Sequence, residues 1–344
     1  MKPTKVSIPE GLKADLPHTT WGRVLSATPV VMAVGATMLA GLASSEMTRA
    51  QYDRSLGAQQ QSKAGDQWSF FQAKRLRGAI QRNTADLLQT MADVRAFDPS
   101  ALKQAAGQMR TQASQPGSTD LGTQLLGVIE SPGGQQALAF LRTREAPAAP
   151  TGLALDPQIR AAMEGVETSM PDPEMKGLLA QVSLDRLDAT LKAARDQAQV
   201  YDAATKPINQ AVDQIDNLLA REAALRQRPA AAGLGSAGPE AGPPLVRDFT
   251  AARLRYAALR YEVEARLNQT IANLYELQVR KSNISAEHHH ARSQRFFFGM
   301  LAAQAGVIIS TLAMAAKNRN LLWSFAAGAG LVAIAFAIYV YLYI

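Results

Sequence analysis

There is no cysteine among the 344 residues, which excludes disulfide frameworks, thiolate nucleophiles, Cys-ligated zinc and iron–sulfur clusters together. The redox compartment stays open, because a thiol-free chain tolerates either side of a membrane. Histidine is scarce at 4, and aromatics make up 6% against a hydrophobic share of 47%. Sheets draw on aromatic and β-branched residues, so this Ala-rich composition favours long helices. Charge is missing from three long runs: residues 24–45, 296–316 and 321–344. At 1.5 Å per residue each reaches ~30–36 Å, enough to cross a hydrocarbon core of ~30 Å. All three read as transmembrane helices. The first carries Gly41-Leu42-Ala43, a small-x-small site of the kind signal peptidase cuts. Its long preceding segment and the length of the run argue instead for an uncleaved anchor.

What charge there is divides by topology. The formal net charge is +7. Residues 1–23 hold Lys2, Lys5, Lys13 and Arg23 against Glu10 and Asp15, and the loop before the last span holds Lys317 and Arg319. No concentrated basic face remains for 46–295, so nucleic acid is not an expected partner. Short basic segments stay cytoplasmic. Both ends of that rule place 46–295 outside the cytoplasm, on the periplasmic side of a bacterial inner membrane. Arg49, Arg54, Lys63, Arg280, Lys281, Arg292 and Arg295 flank the other side and oppose this assignment.

Between the anchors the expected fold is all-α: long coiled helices with a cluster of short ones. Residues 46–97 contain no Pro, with Leu76, Ile80, Leu87, Met91 and Val94 at helical intervals behind Trp68 and Phe71. Phe97-Asp98-Pro99 stops this helix and starts another, Asp as N-cap and Pro at the first position. Asp156-Pro157 and Asp172-Pro173 repeat the device. Turns are expected at Gln115-Pro116-Gly117, Pro132-Gly133-Gly134 and Pro147-Ala148-Ala149-Pro150. Residues 98–171 therefore read as a short-helix tip, a candidate docking point for a protein partner. A long helix over 172–228 follows, bent at Pro207, and then a Pro/Gly/Ala linker at 229–244. Residues 245–295 run without Pro straight into the second span. Tyr256, Leu259, Val263, Leu267, Ile271 and Leu274 form a coiled-coil seam along them. A helix this long with so narrow a stripe needs partners, within the chain and from other copies. A homo-oligomer is expected, against the alternative of a monomeric hairpin bundle.

Asp66-Gln67-Trp68-Ser69-Phe70-Phe71-Gln72-Ala73-Lys74 follows the anchor, and Glu287-His288-His289-His290 precedes the terminal pair of spans. In this, and in its anchor–coil–two-span order, the chain resembles the bacterial membrane-protein family called domain of unknown function 4337. The resemblance covers roughly 46–96 and 245–344, and leaves 98–171 and the linker as elaborations of this chain. It implies an architecture and brings no activity with it.

The candidate sites follow from spacing. Trp68, Phe71, Gln72 and Arg75 share one helix face, and Lys74 lies on the neighbouring one. The set reads as a core or oligomer contact, or as a cation-lined groove for an anionic partner. Three consecutive histidines on a helix point ~100° apart, so one chain cannot aim all three at one ion. Glu287 and His290 could supply two metal ligands, with His288 beside them and a neighbouring subunit completing the set. The bland alternative is a solvated polar collar above the span. Gln304 is a strong amide inside a span and favours a helix–helix contact over a pore lining. Gly299 with Ala303, Ala302 with Gly306, Ser324 with Gly328 and Ala326 with Gly330 are small pairs four apart that permit close packing.

Gly233-Leu234-Gly235-Ser236-Ala237-Gly238 matches a dinucleotide pattern, but it follows a helix and precedes Pro239, so it reads as a decoy. No Walker A, His-Glu-x-x-His or nucleophile signature occurs. The expectation is a non-enzyme without cofactor: a membrane-anchored scaffold or interaction protein, with a channel or transport component as the alternative.

Overall fold

Two of the helices in the computed structural model are 72 residues long, as Pro-poor sequence with a sustained apolar pattern dictates: α1 (Thr20–Met91) and α8 (Pro244–Ala315). Between them come α2 (Pro99–Gln112), α3 (Leu121–Glu130), α4 (Pro132–Thr143), α5 (Pro157–Glu167), α6 (Asp172–Ala180) and α7 (Leu184–Gln227); α9 (Arg319–Tyr343) ends the chain. The structure describes residues 20–112, 120–150, 153, 155–227, 244–316 and 319–343. Residues 229–243 of the expected linker and the turn at Gln115-Pro116-Gly117 lie outside the described residues, and Pro244, its expected last residue, opens α8 instead. Among those described, every regular element is an α-helix. Three helices are long and apolar enough to cross a membrane, one near the N-terminus and two at the C-terminal end.

Local chemistry places the helix starts. The Asp98 carboxylate accepts the Ser100 N–H at 2.9 Å, and Asp156 accepts the Gln158 N–H at 2.8 Å, each satisfying one of the donors a helix start leaves open. Asp172-Pro173 departs from this device: Asp172 lies inside α6, and Pro171 caps it without a side-chain bond. Pro132-Gly133-Gly134, expected as a turn, starts α4, with the Ser131 hydroxyl accepting the Gly134 N–H at 3.0 Å. The single long helix expected over 172–228 is two. It breaks at 181–183, where Ser183 turns its hydroxyl to the Arg186 N–H and begins α7. Pro207 lies within the unbroken α7, and its carbonyl oxygen sits 2.8 Å from where a Cβ on Gly133 would stand. Only glycine lets α4 approach this closely.

The chain divides into two compact units, residues 60–278 and residues 1–59 with 279–344. In the first, the core joins Phe97, Leu102, Leu125, Ile129 and Leu141 of the short-helix segment to Ile208, Ile215 and Leu219 of α7 and Phe249 and Tyr256 of α8. The segment 98–141 thus packs along α7 and the start of α8. Removing each such side chain from water contributes about 1.5–3 kcal/mol. The α8 seam is broader than a two-sided stripe, since Ile271, Ala272, Asn273, Leu274 and Tyr275 are all buried in succession. Partners within its own chain cover it.

In the second unit, Ala36, Leu39 and Ala43 of α1 meet Phe296 and Ala303 of α8 and Ala333 and Val340 of α9. The small pairs do part of the packing. A Cβ on Gly299 would touch Leu39 and Phe336, and one on Gly306 would overlap the Met32 thioether. Gly330 also receives Met32, whereas Gly328 faces open space.

Candidate functional site

Glu46 is the first charge after the first apolar run of α1, and the structure buries it to 7% exposure. A carboxylate there must be paired. One oxygen accepts from Nδ1 of His289 at 2.6 Å, and the other faces Arg49 at 3.6 Å and Arg292 at 3.8 Å. An ionised carboxylate only accepts, so His289 carries its proton on Nδ1. Its Nε2 lies 4.0 Å from Asp53. One helical turn further, the Ser293 hydroxyl donates to the Ala43 carbonyl at 2.7 Å. Glu46 and His289 therefore latch α1 to α8 just outside the apolar runs.

This latch was not legible from sequence, since the expected ligand set was Glu287, His288 and His290. The structure leaves Glu287 and His288 exposed and His290 half-buried, with His290 Nε2 3.0 Å from the Gln294 amide. Among the described residues, no group of three or more His, Asp or Glu side chains is arranged to hold a metal ion. Glu46 and Asp53 approach opposite nitrogens of one ring, a geometry that orients an imidazole and does not chelate.

The Trp68 set lies in the other unit. Trp68 and Phe71 meet edge to face at 5.5 Å, and the Arg75 guanidinium lies 6.0 Å from the Phe71 ring. Gln72 is exposed. Lys74 leaves its neighbours and reaches α8, bonding Glu264 at 2.5 Å with its ammonium 5.4 Å from the Tyr261 ring. Arg260 meets the same carboxylate at 3.4 Å. Beside them Glu262 accepts from Arg82 at 3.0 Å and from Arg266 at 2.6 Å. The cleft between Phe71, Arg75, Arg82 and Arg266 is thus bridged by acid from α8 and does not present a purely cationic lining.

Around this cluster two phenols lose water. Burial pushes Tyr201 well above the ordinary range, and pushes Tyr256 up to about 12. The Tyr256 hydroxyl donates to Asn209 at 3.0 Å. Gln304 is exposed on the outside of the three span-forming helices of its own chain, so no neighbour there serves the helix–helix contact expected for it.

The resemblance noted above rests on the Trp68 motif at one end and the His288–His290 stretch at the other. No curated protein matches the chain, and no solved structure does. The His288–His290 stretch and the last two spans lie beyond the residues that a family model matches, while α2, read above as particular to this chain, lies within them. Over residues 21–119, which include Glu46 and the whole Trp68 motif, the chain matches the family described as Domain of unknown function (DUF4337).

Proposed function

We propose that the chain is a membrane-anchored helical scaffold or interaction protein that works as a homo-oligomer, without catalytic activity. We place it in a bacterial inner membrane, with 46–295 in the periplasm and the 98–171 segment as the docking point for a protein partner. The observation that supports this best is the build of α1 and α8. Each joins an apolar stretch of spanning length to a long helical remainder in one unbroken helix, a form suited to holding protein surface at a bilayer. Their side-chain contacts are latches and packing: Glu46–His289, Lys74–Glu264 and the Gly78 approach to Tyr261.

Cross-linking in intact cells, followed by purification, tests the scaffold. A partner captured by the full chain and lost when the exposed Lys103, Arg110 and Arg142 are changed to Glu, which leaves the core of this segment intact, supports it; identical capture by both proteins contradicts it. Reconstituted vesicles separate it from a channel, because a scaffold leaves them tight to ions with the oligomer present.

A further inference from the structure

A helix laid against a bundle normally turns its large apolar side chains inward. In residues 60–91, α1 does the reverse. Its buried positions are Gln60, Ala64, Gly78 and Ala85, with only the half-buried Phe71 filling the heptad step between Ala64 and Gly78. A Cβ on Gly78 would stand 3.3 Å from the Tyr261 Cβ and 3.4 Å from the Ala258 carbonyl. With Lys74–Glu264 and Arg82–Glu262 on either side, this face meets α8 around Gly78. The opposite face carries Leu76 at 63% exposure, Ile80 at 51% and Leu87 at 57%, flanked by Phe70 at 54% and Met91 at 77%. Several large apolar side chains, each more than half exposed in one stripe, mark an interaction surface.

The geometry points to a second copy of this chain as what covers the stripe, the two α1 helices lying parallel and in register. This rests on the homo-oligomeric reading above and names its contact. Ala73, Leu76, Ile80, Asn83, Leu87 and Thr90 alternate by three and four, the seam period of a left-handed coiled pair. Every copy begins the stripe at the same number of residues beyond its first span, and all copies enter from the same bilayer face, so two α1 helices run the same way. Asn83, exposed in the middle of the stripe, suits a like partner: its amide both donates and accepts, and in register each Asn83 satisfies the other. A slipped register would set each Asn83 amide against Ile80 or Leu87 of the other copy, so the pair favours this register. In that register Gln72 of one copy lies beside Arg77 of the other, and Ala79 beside Thr84, so like charges do not meet. Independently, Gln304 faces outward from its own spans, where a buried amide contact requires a neighbouring helix.

The absence of cysteine makes the test clean. Single-cysteine variants Leu76→Cys, Ile80→Cys and Leu87→Cys are oxidised in native membranes beside Arg75→Cys and Gln89→Cys, which lie on exposed flanks away from the seam. Seam positions place Cα atoms of two parallel helices within disulfide range, ~4.4–6.8 Å, so their dimer yield should exceed that of the flank positions about tenfold. Equal yields, or a greater yield at 75 and 89, overturn the seam. A cross-linked species that is not a multiple of 36.9 kDa assigns the stripe to another protein and also overturns it. Ile80→Asp with Leu87→Asp changes only exposed positions, so each chain keeps its helicity while the dimer yield from Leu76→Cys collapses. If that yield stands, the contact lies elsewhere. The mass of the solubilised complex distinguishes the failures. A multiple of the chain mass with no seam cross-link sinks the seam alone, and a single-chain mass sinks the oligomer as well.

Discussion

Lys74 shows how much a residue's role depends on what meets it across the chain. From spacing it belongs with a cluster of cations; in the fold it is the α1 partner of Glu264, whose side chain is 12% exposed. Lys74→Ala leaves Glu264 with Arg260 as its remaining cation and should cost ~1–3 kcal/mol, read as a lower Tm of the solubilised protein. An unchanged Tm contradicts this account of the contact. The buried phenols give a pH signature. Tyr256 is held protonated up to about 12 when folded, against 10.0 for an ordinary tyrosine. Above 10 the unfolded chain therefore releases protons that the folded chain keeps, so stability is full below that pH and falls as pH rises towards 12. Tyr201 acts in the same direction. Denaturant titrations at pH 9 and pH 11 should show this loss, and Tyr256→Phe with Tyr201→Phe should flatten it; an equal slope in the variant contradicts the assignment. At this scale the sequence was least legible. Nothing local joins Glu46 to a histidine 243 positions away, and the neighbours His288 and His290 draw attention from His289.

Element by element, the sequence speaks more plainly. Pro at the first helical position after Asp marks α2 and α5, and the absence of Pro from 245 to 316 foretells the unbroken α8. The misread places have physical causes. Ser183 caps a new helix inside an apolar stripe that continues across the break, so periodicity hides it. Pro132-Gly133-Gly134 has a turn composition, yet its glycines are needed for close approach: a Cβ on Gly134 would overlap the Val128 carbonyl. The stripe of α1 has the right period but the opposite facing, because periodicity locates an apolar face without saying what covers it. Glycine substitutions separate packing from propensity. Gly78→Leu should force α1 from α8 and cost ~1–3 kcal/mol through overpacking. Gly107, with nothing within 4 Å of its Cβ position, should gain about 0.5–1 kcal/mol as Gly107→Ala. Paired thermal melts check both, and equal shifts of one sign would contradict the packing described.

For the whole molecule, the three charge-free runs correspond to the three helices long and apolar enough to span a membrane. The orientation proposed above, with Lys2, Lys5, Lys13, Arg23, Lys317 and Arg319 on the cytoplasmic side, is tested by a periplasm-only reporter enzyme fused after Ile344: it should be active, and silence reverses the topology. The central claim is that these copies assemble. Native mass measurement of the complex, extracted in mild detergent or carried in lipid discs, tests it most directly. The account predicts a protein mass that is a whole multiple of 36.9 kDa, two or greater; a mass of one chain in the intact extracted complex would contradict it.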